Sequence, residues 1–367
     1  MPFKVPYVDL PAQYLSIERE LNETFRRVMS NASFILRDDV RQLEQSLASY
    51  LGVQHVVGVN SGTDAIYLAL HAAGLKPGDE VITVGHTFVA TIASIVHNRF
   101  LPVLVDIADD FNMDLDRFEA AITSKTRAVI PVHLNGRLCD TEKIAAIARK
   151  HKLVVIDDAA QSLGASLNGK MPGVYSWAAC FSLHPMKNLG GAGDGGFVAT
   201  NDANLAEQIQ LLRNHGQATK EDVRCFGFNS RLDNLQAALL NVKFKYLPQW
   251  IDHRRRAAQM YHDGLQALSW LKLPPPPEKS GHYDVYSSYV VCTEKRDALM
   301  RHLREHGIEV FAHWNPSNHL QKGLALDRFK LPKTEQISRE VVSLPINAEI
   351  SDDQVTWVIE AVKKFKG

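Results

Sequence analysis

From Asp39 to Leu51 the apolar residues Val40, Leu43, Leu47, Tyr50 and Leu51 recur at three- and four-residue steps, which predicts one buried helical stripe. The period then changes. Residues 55–59 read as a short buried strand, and Asn60-Ser61-Gly62-Thr63 as a turn that caps a helix over 64–73. The same alternation returns: strand 81–84 before helix 87–97, 102–106 before 115–122, 128–133 before 141–150, and 154–156 before Asp157. Buried strands alternating with amphipathic helices predict an α/β fold built on a mainly parallel sheet covered on both faces. Beyond it, one long helix is expected over 232–261, and then the rigid spacer Pro274-Pro275-Pro276-Pro277. A strand over 288–292, a helix over 297–306 and a closing helix over 353–365 suggest a smaller second unit.

Length and composition narrow the classes. A chain of 367 residues exceeds one small core and suggests two domains sharing a cleft. Hydrophobic residues at 45% and charged residues at 22% exclude disorder and fibrous repeats. The 41 basic and 41 acidic side chains cancel, so no general field attracts nucleic acid or an anionic membrane, and phosphate recognition has to be local. No stretch approaches the roughly 18 apolar residues of a spanning helix, and MPFKVPYVDL has no apolar leader core, so a cytoplasmic protein is expected. Cys139, Cys180, Cys225 and Cys292 form no CxxC pair, which leaves little support for a disulfide framework or thiolate zinc site.

Ligands of open α/β sheets sit outside the carboxyl ends of the strands, where polar clusters begin at Ser61, His86, Asp157 and Ser182. In the segment Phe181 to Gly196, Lys187 stands alone between an apolar strand and a loop with five glycines, which let backbone approach a ligand closely. It is either a surface lysine beside a flexible loop or a nucleophile. A lysine amine condenses with the aldehyde of pyridoxal phosphate, and the ring withdraws electrons from a substrate α-carbon only while its nitrogen stays protonated. Asp158 closes the apolar run Leu153-Val154-Val155-Ile156 and is expected at the sheet's carboxyl edge, where its charge would hold that proton. Asp157 would face the other way as a structural group, and the pair also has a plain reading as a helix cap. Ser61-Gly62-Thr63 offers helix-start N–H groups and short hydroxyls to a phosphate, or simply a cap. Ser182 would add a hydroxyl, Phe88 is placed either to lie on the pyridine ring or to fill core, and Gln161 to donate to the ring hydroxyl oxygen.

In this order, S-G-T-D-A, H-T-F-V-A-T, V-I-D-D-A-A-Q-S-L-G-A, F-S-L-H-P-M-K-N-L-G-G-A-G-D-G-G, R-N-H-G-Q and G-F-N-S-R-L-D-N-L-Q-A-A resemble the DegT/DnrJ/StrS-type sugar aminotransferases. The resemblance runs from Tyr7-Val8-Asp9-Leu10 to Ser343-Leu344-Pro345. It implies a fold type I pyridoxal-phosphate-dependent transferase with a large domain over 1–245, built on a mainly parallel seven-stranded type of sheet, and a smaller α/β domain over 246–367. It further implies a homodimer with composite sites. Lys187 would carry the cofactor as a Schiff base and shuttle protons, Asp158 would face the pyridine nitrogen, Gln161 the ring hydroxyl and Phe88 the ring face. Gly62, Thr63 and Ser182 would hold the phosphate, joined by Asn229 from across the dimer interface. His184, Arg231 and His313 would meet substrate. D-A-A-Q and L-G-A-G-D-G-G look more like the family's 3-keto nucleotide-sugar enzymes than those acting at C4. That implies a nucleotide-linked 3-keto hexose as acceptor, L-glutamate as donor and pyridoxamine phosphate as the alternating cofactor form; an unlinked keto sugar or a cyclitol is the other acceptor class. The chain departs from the family pattern at Arg37, Asn135, Pro185-Met186 and His313-Trp314-Asn315-Pro316, which bears on the substrate more than on the chemistry.

Other readings compete. His302-Leu303-Arg304-Glu305-His306 has the H-x-x-E-H spacing of inverted zinc peptidases but lacks an obvious third ligand, so no metal is expected. His253-Arg254-Arg255-Arg256 is read as a solvated helix face rather than a nucleic-acid patch, because no aromatics interleave it. A related sugar dehydratase would carry histidine in place of Lys187, and a non-catalytic module would be expected to lose Lys187 or Asp158. The glycines near 190–196 do not follow the strand-to-helix pattern of a dinucleotide fingerprint.

Overall fold

The computed structural model describes residues 3–277 and 281–366. The first predicted stripe forms the helix Asp38–Leu51, which buries Val40, Leu43, Leu47 and Leu51 and ends at Gly52 in the left-handed region (φ 71°). The strands are β1 (His55–Val59), β2 (Glu80–Val84), β3 (Leu101–Val105), β4 (Thr126–Val129), β5 (Val154–Asp158), β6 (Ser166–Leu167), β7 (Ala178–Ser182), β8 (Gly196–Thr200), β9 (His282–Tyr283), β10 (Tyr289–Cys292) and β11 (Val341–Leu344). Seven of them form the central sheet in the order β1-β8-β7-β5-β4-β2-β3. Neighbours from β7 through β5, β4 and β2 to β3 run parallel, whereas β8 is antiparallel to both β1 and β7.

Successive strand residues point to opposite faces, and the two cores divide accordingly. Val57, Ile156, Cys180 and Val198 pack with Ala65, Leu68 and Ile209, residues of the helices Gly62–Ala72 and Ala203–Arg213. Val56, Phe181, Phe197 and Ala199 pack on the other face with Leu43, Leu47 and Leu240. Phe181 and Phe197, cross-strand partners in β7 and β8, stack with ring centroids 4.5 Å apart. A further core gathers Tyr261, Leu265, Val291, Leu303, Val342, Val355 and Val358 around the antiparallel pair β10–β11, and Val5 from the amino-terminal segment joins it.

Three local expectations need correction. The single helix over 232–261 is two, Asn234–Phe244 and Leu247–Leu265, because Pro248 fits a first helical turn but not an interior. Strand β4 stops at Val129; Pro131 lacks the N–H a continuing ladder needs, although its carbonyl accepts from Asp158 N. The solvated basic face is wrong for two of its arginines. Arg254 and Arg255 are buried and donate to the carbonyls of Ile346 and Asp284, leaving Arg256 outside to pair with Asp352. No helix among the described residues is long and apolar enough to cross a membrane.

Candidate active site

At the carboxyl ends of the parallel strands lies a cavity of about 500 Å³, within the usual range for small-molecule sites. Lys187, Asp158, Gly62, Thr63, Phe88, Gln161, Ser182, His184 and His313 all line it.

Lys187 follows β7 in a turn closed by its own N–H to His184 O at 2.8 Å. Desolvation by the surrounding protein pushes its ammonium pKa down, and the nearby Asp158 opposes this. Three of the glycines after it are packed against protein. A Cβ at Gly190 would strike the Pro185 carbonyl, and one at Gly191 or Gly193 would come within 2.9 Å of the Gln236 amide. They fold the loop against protein, and Ala192 N donates to Gln236 Oε1 at 2.8 Å.

Asp158 ends β5 with its carboxylate buried. Thr91 Oγ1 donates to Oδ2 at 2.7 Å and Ala160 N to Oδ1 at 3.2 Å. Burial raises its pKa, and these donors and Lys187 work against the rise. Asp157 faces the other side as expected: it accepts from Ser176 Oγ at 2.6 Å and Gly173 N at 3.2 Å. His133 Nδ1 takes the N–H of Cys139, so its Nε2 carries the proton that faces Asp157 Oδ1 at 3.6 Å.

Opposite the lysine, the helix Gly62–Ala72 starts at the cavity. Ser61 Oγ takes the N–H of Asp64 and Ser61 O that of Ala65, so the N–H groups of Gly62 and Thr63 remain for an anion. Ser182 lies directly against Gly62. Gln161 Oε1 accepts the N–H of Asn135 at 2.8 Å, which turns the amide nitrogen away from that bond as a donor. Asn135 sits at φ 58°, a left-handed conformation that asparagine tolerates. Phe88 is 55% exposed at the rim, its ring 5.5 Å from that of Trp314. His313 Nδ1 meets Ser343 Oγ at 2.6 Å; burial and then the charge of Lys187 push its pKa down to about 4.

Two predicted residues stand apart. Asn229 is exposed and lines a neighbouring cleft with Thr63, Asp64 and Ser230, and Arg231 donates to Asn214 Oδ1 at 3.2 Å; neither lines the lysine cavity within this chain. Sequence reasoning missed Thr91 and His133, and it met Trp314 only as a departure from the family pattern rather than as a wall of the cavity. Thr87 and Thr91 were visible as hydroxyls four positions apart at a helix start, a spacing that places side chains together. His302 Nε2 and His306 Nδ1 each turn to a backbone carbonyl, of Ala361 and of His302 respectively.

The donor set fits pyridoxal phosphate. An amine, a carboxylate and a helix start with adjacent hydroxyls match its aldehyde, its ring nitrogen and its phosphate, and the absence of a side chain at Gly62 brings the helix start against Ser182. A mainly parallel sheet carrying this set at its carboxyl edge defines a fold type I, pyridoxal-phosphate-dependent transferase. Residues 15–363 match the DegT/DnrJ/EryC1/StrS aminotransferase family, and the chain belongs to it. It is 43% identical to a pleiotropic regulatory protein of Geobacillus stearothermophilus over 98% of both chains. It is 40% identical to the UDP-N-acetyl-3-dehydro-alpha-D-glucosamine 3-aminotransferase of Acidithiobacillus ferrooxidans, over 98% of this chain and 97% of that one. The crystal structure of S. venezuelae DesV in complex with a ketimine intermediate superposes with a TM-score of 0.96 at 38% identity, covering 99% of this chain and 98% of that one.

Proposed function

We propose that this aminotransferase works in the cytoplasm as a homodimer and moves an amino group from L-glutamate to a nucleotide-linked 3-keto hexose. The observation that carries the reading is the meeting of Lys187, Asp158, Gln161 and the Gly62–Thr63 helix start in one cavity. The 3-keto acceptor is supported by the D-A-A-Q and L-G-A-G-D-G-G motifs and by the name of the Acidithiobacillus relative. Residues 1–245 are taken as the cofactor-binding unit and 246–367 as the smaller unit, whose His313 reaches the cavity. The exposure of Asn229 and its place outside the lysine cavity suit a role across the dimer interface, with Arg231 beside it.

Pyridoxal phosphate bound here supplies a carbonyl for amine condensation and a ring that withdraws electrons from the reacting carbon. The rest falls to the chain. The N–H groups of Gly62 and Thr63 and the Ser182 hydroxyl hold the phosphate, and Asp158 keeps a negative charge at the ring nitrogen. Phe88 covers the ring, and the Gln161 amide donates to its hydroxyl oxygen. The Lys187 amine, its pKa lowered by desolvation, accepts the donor's α-proton at Nζ and in the second half delivers a proton to the acceptor's keto carbon. His313 is neutral at pH 7 and offers an uncharged ring to the sugar, with His184 beside it in the cavity, while Arg231, outside this chain's cavity, would meet substrate from across the dimer interface. The intact lysine and carboxylate favour a transaminase over both a dehydratase and a purely regulatory protein.

The test is the visible spectrum of the protein with pyridoxal phosphate before and after L-glutamate, with no sugar present. Loss of the visible band in favour of the shorter-wavelength pyridoxamine band is expected, followed by its return when a 3-keto nucleotide sugar is added. A band that ignores glutamate would overturn the donor assignment, and no band would overturn the site.

A further inference from the structure

Thr91 is fully buried near the start of the helix Val89–His97, and its Oγ1 has three oxygen neighbours: Asp158 Oδ2 at 2.7 Å, Thr87 Oγ1 at 2.9 Å and the carbonyl of Phe88 at 3.2 Å. A hydroxyl has one proton to give, and an ionised carboxylate has none. The shortest contact is also the one to the charged acceptor, so the Thr91 proton goes to Asp158. Thr87 is then the donor to Thr91. The result is a one-way relay of hydroxyls, Thr87 to Thr91 to Asp158, ending on the oxygen that Ala160 does not hold.

The surroundings make this arrangement matter. Burial raises the pKa of Asp158, and the Thr91 hydroxyl is the first of the groups that counter it. Phe88 lies between the two threonines and reaches the cavity rim, so the same segment both covers the cavity and braces the carboxylate behind it.

We propose that Thr91, oriented by Thr87, is a positioning residue that keeps Asp158 ionised and aimed into the cavity, and thereby sets how well the ring nitrogen of the cofactor is paired. The proposal rests on Asp158 being the partner of that nitrogen. A hydroxyl that merely back-bonded to its own helix would have taken the Phe88 carbonyl in preference, yet that is the longer contact.

The experiment compares wild type, Thr91→Val and Thr91→Ser as full-length proteins, with folding checked by circular dichroism. Each is titrated with pyridoxal phosphate, and the glutamate-driven loss of the visible band is then timed. Thr91→Val is expected to weaken cofactor binding about tenfold, the scale of one hydrogen bond to a charged group. It should also slow the loss of the band without raising the glutamate concentration that gives half the maximal rate. Thr91→Ser, which restores the donor but not the methyl, is expected to recover both properties.

Wild-type affinity and rate in Thr91→Val would overturn the proposal, as would equal losses in the valine and serine variants, which would mark a packing role. A wild-type protein that forms no band at all would instead overturn the site reading, and the proposal with it. Should Thr91→Val fail to fold, Thr87→Val removes the donor that orients Thr91, with Thr87→Ser, which keeps the hydroxyl, as the control for the part of the cavity wall that Thr87 forms. A smaller loss in the same direction is expected in Thr87→Val, and no loss would overturn the relay.

Discussion

Gly62 and Ser182 approach so closely that a Cβ on the glycine would lie 2.7 Å from Ser182 Cβ and 3.0 Å from its Cα. The start of the helix Gly62–Ala72 and the end of β7 thereby form one wall of the cavity. Gly62→Ala must push them apart, and overpacking of this kind costs about 1–3 kcal/mol. A lower melting temperature and weaker pyridoxal phosphate binding are expected together. An alanine variant that binds the cofactor normally would show that the wall does not hold the phosphate.

Lys187→Ala removes the amine proposed both to anchor the cofactor and to move the protons. Turnover is expected to fall by about 10⁴-fold, at the upper end of what a positioned acid–base group contributes. The visible band should disappear while the shorter-wavelength absorbance of non-covalently held cofactor persists. Turnover at the wild-type rate would sink the assignment of Lys187.

Trp314 stands against Phe88 and 5.7 Å from His313, with its carbonyl taking the hydroxyl of Ser338 at 3.1 Å. It forms part of the cavity wall. An aromatic contact is worth about 0.5–1.5 kcal/mol beyond its area, so Trp314→Ala should raise the KM for the acceptor sugar about tenfold. The half-reaction with glutamate should be nearly unaffected. Steady-state kinetics with both substrates separate the two effects, and an unchanged acceptor KM would remove Trp314 from the sugar's surroundings.

His313 makes the fold sensitive to acid. Its folded pKa of about 4 lies below the ordinary value of 6.5, so between these limits the unfolded chain binds the extra proton. Stability therefore rises with pH across that window and falls as pH drops from 6.5 towards 4, by at most about 1.4 kcal/mol per pH unit for one proton. Cofactor-free His313→Gln should lose part of this slope in denaturant titrations at pH 4.5 and 6.5. His86, pushed by burial to about 3, contributes with the same sign and remains in the variant.

Much of the site was legible because its parts are local. A strand end followed by a polar cluster is visible in a few residues, and Lys187, Asp158, Gln161 and Ser61-Gly62-Thr63 each sit at such a junction. The break at Lys245–Tyr246 was hidden because the apolar stripe continues across it, and Arg254 and Arg255 looked solvated because their partners are carbonyls far along the chain.

Periodicity and residue chemistry by themselves determined the alternating α/β elements, the parallel core of the sheet and the residue types at the strand ends. Those properties depend on neighbours within a turn or a strand. Tertiary structure alone decided that β8 runs antiparallel between β1 and β7, that Thr91 meets Asp158 across 67 residues, and that Trp314 faces Phe88. Such contacts depend on which distant surfaces bury each other best, and no local window of the chain contains that comparison.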